Sequence, residues 1–467
     1  MKLIYNVSDK PKFGQLIVFA IQQLLAIMAA TIAVPAIVGN GMTASAALFG
    51  AGVGTIVYQL FTKFRSPVFL GSSFAFIGPM CAAFAGALGN ATLGYLGLII
   101  GAVFAGLVYV VIALAVKFAG VKWISKIMPA SVIGPTVTLI GLSLAGAAIN
   151  DVFSYGSKET YGTSSYFIMS GNIWVSLVCG LVTLAVVILC SVYGKKMAKL
   201  IPFIIGILSG YAVALIFTLI GTATNNADLL VIDFAPFKAL AADGVTFSTF
   251  VSLPKFTFLE AFKGAKDFNW GYVATVAVAY IPVAFVVFAE HLADHKNLSS
   301  IIESDLLENP GLHNTLLGDG IGSTVGAFFG GCPNTTYGES VGCVAITGNA
   351  SVVTITAAAI MSVLVAFISP FVAFLDSIPG CVMGGVCITL YGFIAVSGLK
   401  MIQKVNLENN ANLFTVSAIL IPGIGGMSMA IGGENKVYIT AIACALILGI
   451  LTNLMLNRKS SDENKAE

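Results

Sequence analysis

Between Phe13 and Val38 the only polar side chains are Gln15, Gln22, Gln23 and Thr31. Runs of this kind recur along the whole chain. A helix needs about 20 apolar residues to cross the hydrocarbon core of a bilayer, and about fourteen segments reach or approach that length, centred near residues 26, 54, 78, 105, 138, 181, 210, 280, 322, 340, 362, 390, 420 and 447. The pattern predicts an all-α polytopic membrane protein. The segments near 78, 322 and 340 are too short, or too rich in Gly and polar residues, for ordinary spans.

Composition agrees. Of 467 residues, 58% are hydrophobic and 9% charged, with a mean hydropathy of +0.96, whereas soluble domains carry about 25% charged residues. A net charge of +2 gives no reason to expect a nucleic-acid partner. The eight Cys lack any CxxC spacing, so no metal site, cofactor or disulfide framework is indicated. The first apolar run has no A-x-A-like cleavage site close behind it and reads as a first span rather than a removed signal peptide. If both termini are cytoplasmic and spans alternate, 17 of the 23 Lys and Arg fall inside, and only Lys158, Lys238, Lys255, Lys263, Lys266 and Lys436 fall outside. That positive-inside bias favours an even number of spans in a cell (inner or plasma) membrane.

The chain also repeats itself. Residues 48–57, LFGAGVGTIV, align with 316–325, LLGDGIGSTV, and 129–134, PASVIG, with 379–384, PGCVMG. Ser72-Ser73-Phe74-Ala75 aligns with Thr335-Thr336-Tyr337-Gly338, so hydroxyl, hydroxyl, aromatic, small recurs. These matches pair segments 2 with 9, 3 with 10 and 5 with 12. A shift of seven is odd, so the two halves would face opposite ways in the membrane. Such 7+7 inverted repeats mark secondary transporters, whose sites lie near the midplane where helices are interrupted.

The interrupted segments are the third, SPVFLGSSFAFIGP, and the tenth, GGCPNTTYGESVG. Their β-branched, aromatic, Gly and Pro residues suit short extended stretches better than continuous helix. Irregular backbone survives at membrane depth only when buried in protein or lining a cavity. We therefore predict that the two stretches pair as short β-strands and that each runs into a half-helix whose first N–H groups face a cavity. The alternative is a pair of kinked spans packed through small residues.

Of the 21 acidic residues, only Glu290, Asp294, Asp319 and Glu339 fall inside segments. An intramembrane carboxylate is a functional hypothesis by default. Glu290 and Asp294, four apart, share one helix face, and Glu339 follows the broken stretch of segment ten. Asp294 also reads as functional, although it sits near the expected cytoplasmic end, where a solvated end charge is the alternative. Asp319, among glycines at the repeat contact, reads as structural. His291 points about 100° away from Glu290, and His295 is expected to reach the interface; both read as structural or solvated.

Gly338-Glu339-Ser340-Val341-Gly342 fits the G-x-S-x-G nucleophile elbow, but that motif needs a later His, and the last one here is His313. No enzyme is indicated. The Gly50-x-Gly52-x-Gly54 spacing lies inside an apolar segment and reads as close helix packing.

The stretches GSSFAFIGP (71–79), VFAEH (287–291), ENPGLHNTLLGDGIGS (308–323), PNTTYGESVGCVAIT (333–347) and PGCVMGGVCITLYG (379–392) resemble the nucleobase–ascorbate transporter (nucleobase:cation symporter-2) family, and within it the bacterial uracil permeases, over about Phe13 to Leu456. The resemblance implies seven plus seven inverted spans split into core and gate domains, a homodimer, and proton-coupled symport of a nucleobase. The core would comprise residues 13–120 and 269–375 and the gate 124–222 and 378–456, with an extracellular loop at 223–268 and a cytoplasmic tail at 457–467. Glu339, Gly342 and Thr347 match the family signature, while Ser340 stands where Asn is usual. Uracil permeases often carry His four residues after the Glu of AEH; here that residue is Asp294.

Uracil offers two ring N–H donors and two carbonyl acceptors. Glu290 and Glu339 can accept from the N–H groups, backbone around Phe74, Tyr337 and Gly338 can donate to the carbonyls, and the rings of Phe74 and Tyr337 can flank the base. Glu290, Asp294 and Glu339 are the candidates to carry the proton, as a coupled set. An anion transporter of the same architecture would want a cation in the site, and no Lys or Arg lies within segments three, eight or ten as delimited. A purine or xanthine permease of the same family is the principal alternative. A nucleobase sensor would lack an output domain.

Overall fold

The computed structural model describes residues 3–463 except 121, 155, 162–163, 196, 243 and 432–436. Of the charges used above to orient the chain, Lys2, Lys196, Lys436 and Lys465 lie outside the described residues, as does the end of the expected tail.

A helix lies over each of the fourteen apolar centres: α1 (Phe13–Val38), α2 (Ala44–Phe61), α3 (Ile77–Gly86), α4 (Ala91–Ala119), α5 (Ala130–Ser143, continued by Ala145–Val152), α6 (Gly171–Tyr193), α7 (Pro202–Thr224), α8 (Trp270–Ile302), α9 (Leu312–Gly330), α10 (Gly338–Thr347), α11 (Val352–Val365), α12 (Gly380–Ile402), α13 (Asn410–Ile424) and α14 (Ala441–Glu463). Among the described residues, eight helices are long and apolar enough to cross a membrane. The fold is a mostly helical, multi-pass membrane architecture. Polar side chains start several of the helices: Thr43 accepts from Ala46 N (3.3 Å), Asn90 from Leu93 N (3.2 Å) and Asn269 from Tyr272 N (2.8 Å), as expected of N-caps. Helix α8, with 33 residues, outruns the expected segment and takes in Lys296, which is exposed. Among the described residues, the stretch between α7 and α8 holds three short α-helices, Ala235–Leu240, Phe247–Phe250 and Thr257–Gly264.

Packing falls into two groups. In one, α9 packs on α2 and α4, α8 on α4, and α11 on α1 and α2; in the other, α12 packs on α5 and α6, α7 on α6, and α13 on α14. The α2–α9 contact rests on the glycine pattern. A Cβ at Gly50 would stand 2.4 Å from Gly326 O, and one at Gly54 2.7 Å from Gly322 O, so larger residues would force the backbones apart.

At the centre of the first group, β1 (Leu70–Ser72) and β2 (Asn334–Thr336) pair antiparallel, with Gly71 opposite Thr335. Ser73 N donates to Pro333 O (2.9 Å) and Tyr337 N to Phe69 O (3.2 Å), which extends the pairing. The outer edge of β1 is covered by a side chain: Thr55 Oγ1 accepts from Leu70 N (2.9 Å), and its one proton lies between Ala51 O (2.8 Å) and Leu70 O (3.1 Å). With these backbone groups satisfied inside protein, extended chain is tolerated at membrane depth. Each strand leads into a helix of 10 residues, α3 after a 3-10 turn (Phe74–Phe76) and α10 directly. Ten residues rise about 15 Å, roughly half the hydrocarbon thickness.

Candidate functional site

Glu290 leaves α8 on the same face as Asp294, and both are half-buried. Across from them is the start of α10, where the extended chain of β2 turns helical at Gly338 and the first N–H groups have no preceding carbonyl within the helix. Asp294 Oδ2 accepts from Thr336 Oγ1 at 2.8 Å. A Cβ built on Gly338 would come no nearer than 3.8 Å to Asp294 Oδ1, and one on Gly342 would meet nothing within 4 Å. The first turn of α10 is therefore open on one side. Glu339, in that turn and half-buried, completes a set of three carboxylates around a helix N-terminus, an arrangement its dipole favours.

These groups line one cavity of about 420 Å³, within the usual range for a small-ligand site. Glu290, Ala293 and Asp294 of α8, Gly338, Glu339 and Gly342 of α10, and Ala26 of α1 form one wall; Val137, Pro202, Phe203, Leu390 and Phe393 of α5, α7 and α12 form the other. The cavity thus lies between the two packing groups. Sequence reasoning did not find the second wall, nor Lys199, the one cation among the described residues lining the cavity. Apart from Leu390, which falls in the stretch 379–392, nothing local distinguishes these residues; they are brought there by chain topology.

Tyr337 and Phe74 are not where the expectation put them. The Tyr337 ring packs against β1, so that a Cβ at Gly71 would stand 2.2 Å from it, and its hydroxyl donates to Ser72 O at 2.6 Å. Phe74 packs edge-on against Tyr391, with ring centroids 5.7 Å apart. Neither ring lines the cavity; Phe203 and Phe393, 6.0 Å apart and edge to face, do. A Tyr at a strand-to-helix junction has a paired strand beside it to cover, and that contact takes the ring away from the open side.

The other face of α8 also departs from expectation. His295 is 1% exposed rather than interfacial, because α8 continues to Ile302 and Tyr58 of α2 covers the ring. His295 Nδ1 donates to His291 O (2.8 Å), and Tyr58 Oη stands 2.7 Å from both His295 Nε2 and Ser66 Oγ. His291 is fully buried, with Nδ1 2.6 Å from Asp319 Oδ2 and Nε2 3.0 Å from Thr315 Oγ1. The structural reading of Asp319 gains a partner that spacing alone did not name. Ser340, in place of the family's Asn, accepts from Phe69 N (3.0 Å) and from Gln23 Nε2, tying α10 to α1 and to the chain entering β1.

Comparison with known proteins bears on the family. A model described as "Permease family" matches residues 14–432. The chain is 37% identical to the uracil permease of Bacillus caldolyticus, covering 100% of this chain and 98% of that one. It is 32% identical to the uracil permease of Escherichia coli K12, over 96% and 93% of the two chains. Among solved structures, the transmembrane domain of a cyanobacterium bicarbonate transporter, BicA, covers 96% of this chain and 99% of its own at a TM-score of 0.58 and 14% identity, a likeness of fold alone. With a family model spanning most of the chain and full-length relatives above 30% identity, the chain belongs to the nucleobase–ascorbate transporter family of permeases.

Proposed function

We propose that the protein is a proton-coupled symporter that imports a nucleobase, uracil, by alternating access. The observation that carries this reading is the cavity between the two packing groups, where Glu290 and Glu339 face one apolar wall beside the open start of α10. Uracil presents two N–H donors for these carboxylates and two carbonyls for the N–H groups of the first turn of α10 around Gly338. Phe74 and Tyr337 enter as the residues at the strand-to-helix junctions, with Tyr337 holding the strand crossing in place and Phe203 and Phe393 supplying aromatic surface. Glu290, Asp294 and Glu339 carry the proton between them.

The two packing groups support a core of residues 13–120 and 269–375 and a gate of 124–222 and 378–456. Fourteen segments in two inverted sets of seven give the gate a pseudo-symmetric path past the core. The cavity runs toward Lys199 and Met401, whose helix ends the charge pattern assigns to the inside, which fits an inward-facing arrangement with both termini cytoplasmic. The assembly is a homodimer in the cell membrane.

Uptake of labelled uracil by cells lacking their own permease tests the reading. Expression should give uptake that a proton uncoupler abolishes and that unlabelled xanthine or guanine does not compete away. Competition by purines, with none by uracil, would replace the substrate with a purine. Cysteines placed between residues 223 and 268 should be labelled from outside intact cells and those near Lys199 only after permeabilisation; the reverse would overturn the orientation and the inverted repeat.

A further inference from the structure

Residues 3–9, ahead of α1, lie along the loop that joins α10 to α11. Their exposure alternates. Leu3, Tyr5, Val7 and Asp9 are half-buried while Ile4, Asn6, Ser8 and Lys10 are exposed, the period of extended chain laid on a surface. Backbone bonds fix the register. Gly348 O accepts from Ile4 N (2.7 Å) and Tyr5 N (3.2 Å), Ala350 N donates to Tyr5 O (2.9 Å) and Val352 N to Val7 O (3.1 Å), so that Tyr5 forms a parallel bridge with Asn349. Ser351 Oγ donates to Asp9 O at 2.6 Å. On the inner face, Leu3 and Val7 pack against a buried cluster that includes Val341 and Val344 of α10 and Leu298 and Ile302 of α8. Tyr5 turns to α1 instead, its hydroxyl donating to Gln15 Oε1 at 2.6 Å and its ring edge-on to Phe19.

The cluster sits close to the site. Val341 is two residues after Glu339, and Leu298 is one helical turn after Asp294. Helix α10 has only 10 residues, about half the hydrocarbon thickness, so its placement depends on what holds its two ends. A helix this short is ordered mainly by packing. Its start is held by the pairing of β2 and by Ser340, which accepts from Phe69 N. Its far end stops at Gly348, in the left-handed region at φ 66°, and there the chain passes directly into the bonds with residues 4–9. We propose that residues 3–9 are a positioning segment for the candidate site. Leu3 and Val7 set the end of α10 against α8, and through it the placement of Glu339 opposite Glu290 and Asp294. The effect on uracil affinity rests on the proposed function above; the effect on α10 does not.

Leu3→Ser with Val7→Ser, made in the full-length protein, places polar groups on the inner face. Ile4→Ser makes the same kind of change on the outer face, where Ile4 is 65% exposed. Hydrogen exchange at the amides of residues 341–347, measured without ligand, should rise about tenfold or more in the double variant. It should stay at the parent rate in Ile4→Ser, and exchange in α6 and α7 should not change in either. Uracil affinity of the folded, monodisperse double variant should fall about fivefold or more, while Leu3→Ile with Val7→Ile keeps both readouts near the parent. Val7→Ala takes the place of the double variant if that does not fold, with the same two changes expected at smaller size. Exchange in α10 at the parent rate overturns the proposal. Faster exchange spread evenly over the protein also overturns it, since that marks a general loss of stability. Local exchange with unchanged uracil affinity shows a segment that holds the helix end without setting the site, and overturns the positioning role as well. If the parent itself does not bind uracil, the proposed function fails, and the exchange pattern alone decides whether residues 3–9 place α10.

Discussion

On α8, Glu290 and Asp294 stand half-buried at a cavity, while His291 and His295, each the next residue in the chain, are closed in by α2, α9 and the helix backbone. The residue types are similar on both faces: ionisable, and expensive inside a membrane. What differs is partnership. Every ring nitrogen on the histidine face has a polar atom within 3.0 Å. On the carboxylate face, among the described residues, only Asp294 has a side-chain partner, Thr336, and Glu290 and Glu339 line the cavity. An ionisable group whose bonds are already made holds the fold; one held at a cavity wall beside a helix start is available to a ligand.

The comparison is broken first by removing a partner from the closed face. His291→Ala leaves Asp319 without its partner in a dry site, and losing half of a buried pair costs about 3–5 kcal/mol. The melting temperature in detergent should fall sharply. Exchanging both residues together, His291→Leu with Asp319→Leu, should recover much of that loss, since an apolar pair of similar bulk often replaces a buried polar pair without penalty. If His291→Ala melts with the parent, the two faces are not distinct in the way argued.

The open face should respond in binding instead of stability. If Glu290 accepts from a uracil N–H as proposed, Glu290→Ala removes that acceptor, a loss of about 1.5–3 kcal/mol for a charged hydrogen bond. Affinity measured on purified protein should fall at least about tenfold, with melting close to the parent. Unchanged affinity would remove Glu290 from the site.

A smaller effect on the closed face follows from Tyr58→Phe, which takes the hydroxyl from His295 Nε2 and Ser66. About 1 kcal/mol of stability should go, and uracil affinity should stay as it was. A fall in affinity without a change in melting would instead place His295 in the transport chemistry.

Much of this division was legible in the sequence, and the remainder shows where reading a single chain stops. The four intramembrane carboxylates, the strand pairing of segments three and ten, and the glycine contact of α2 with α9 all follow from local rules: apolar length, helix-poor composition and small-residue spacing. His295 was expected at the interface because the apolar run ends near Phe288, yet α8 continues as a helix through polar residues covered by α2. Tyr337 was expected at the base because an aromatic near a binding loop suggests stacking, yet its ring has Gly71 beneath it. Lys199 lies far from the motif residues in the chain, and Phe393, which directly follows the stretch 379–392, is linked by no periodicity to the carboxylates it faces. Each miss concerns what a neighbouring element covers, which is decided by tertiary packing.

The finest division is between Asp294 and the two glutamates. Its carboxylate shares the cavity with Glu290 yet accepts a hydrogen bond from Thr336 at 2.8 Å, so it belongs partly to each class. Asp294→Asn keeps an acceptor for Thr336 and removes the titratable group, so melting and equilibrium uracil affinity should change little, within about twofold for binding. The consequence appears only in flux. If Asp294 passes the proton between the site and the inner vestibule, net uptake driven by a pH gradient should collapse, while exchange of internal for external uracil, which need not move a proton across, persists. Full gradient-driven uptake in Asp294→Asn would make this residue a polar support for Thr336 at the end of β2 and leave coupling to Glu290 and Glu339.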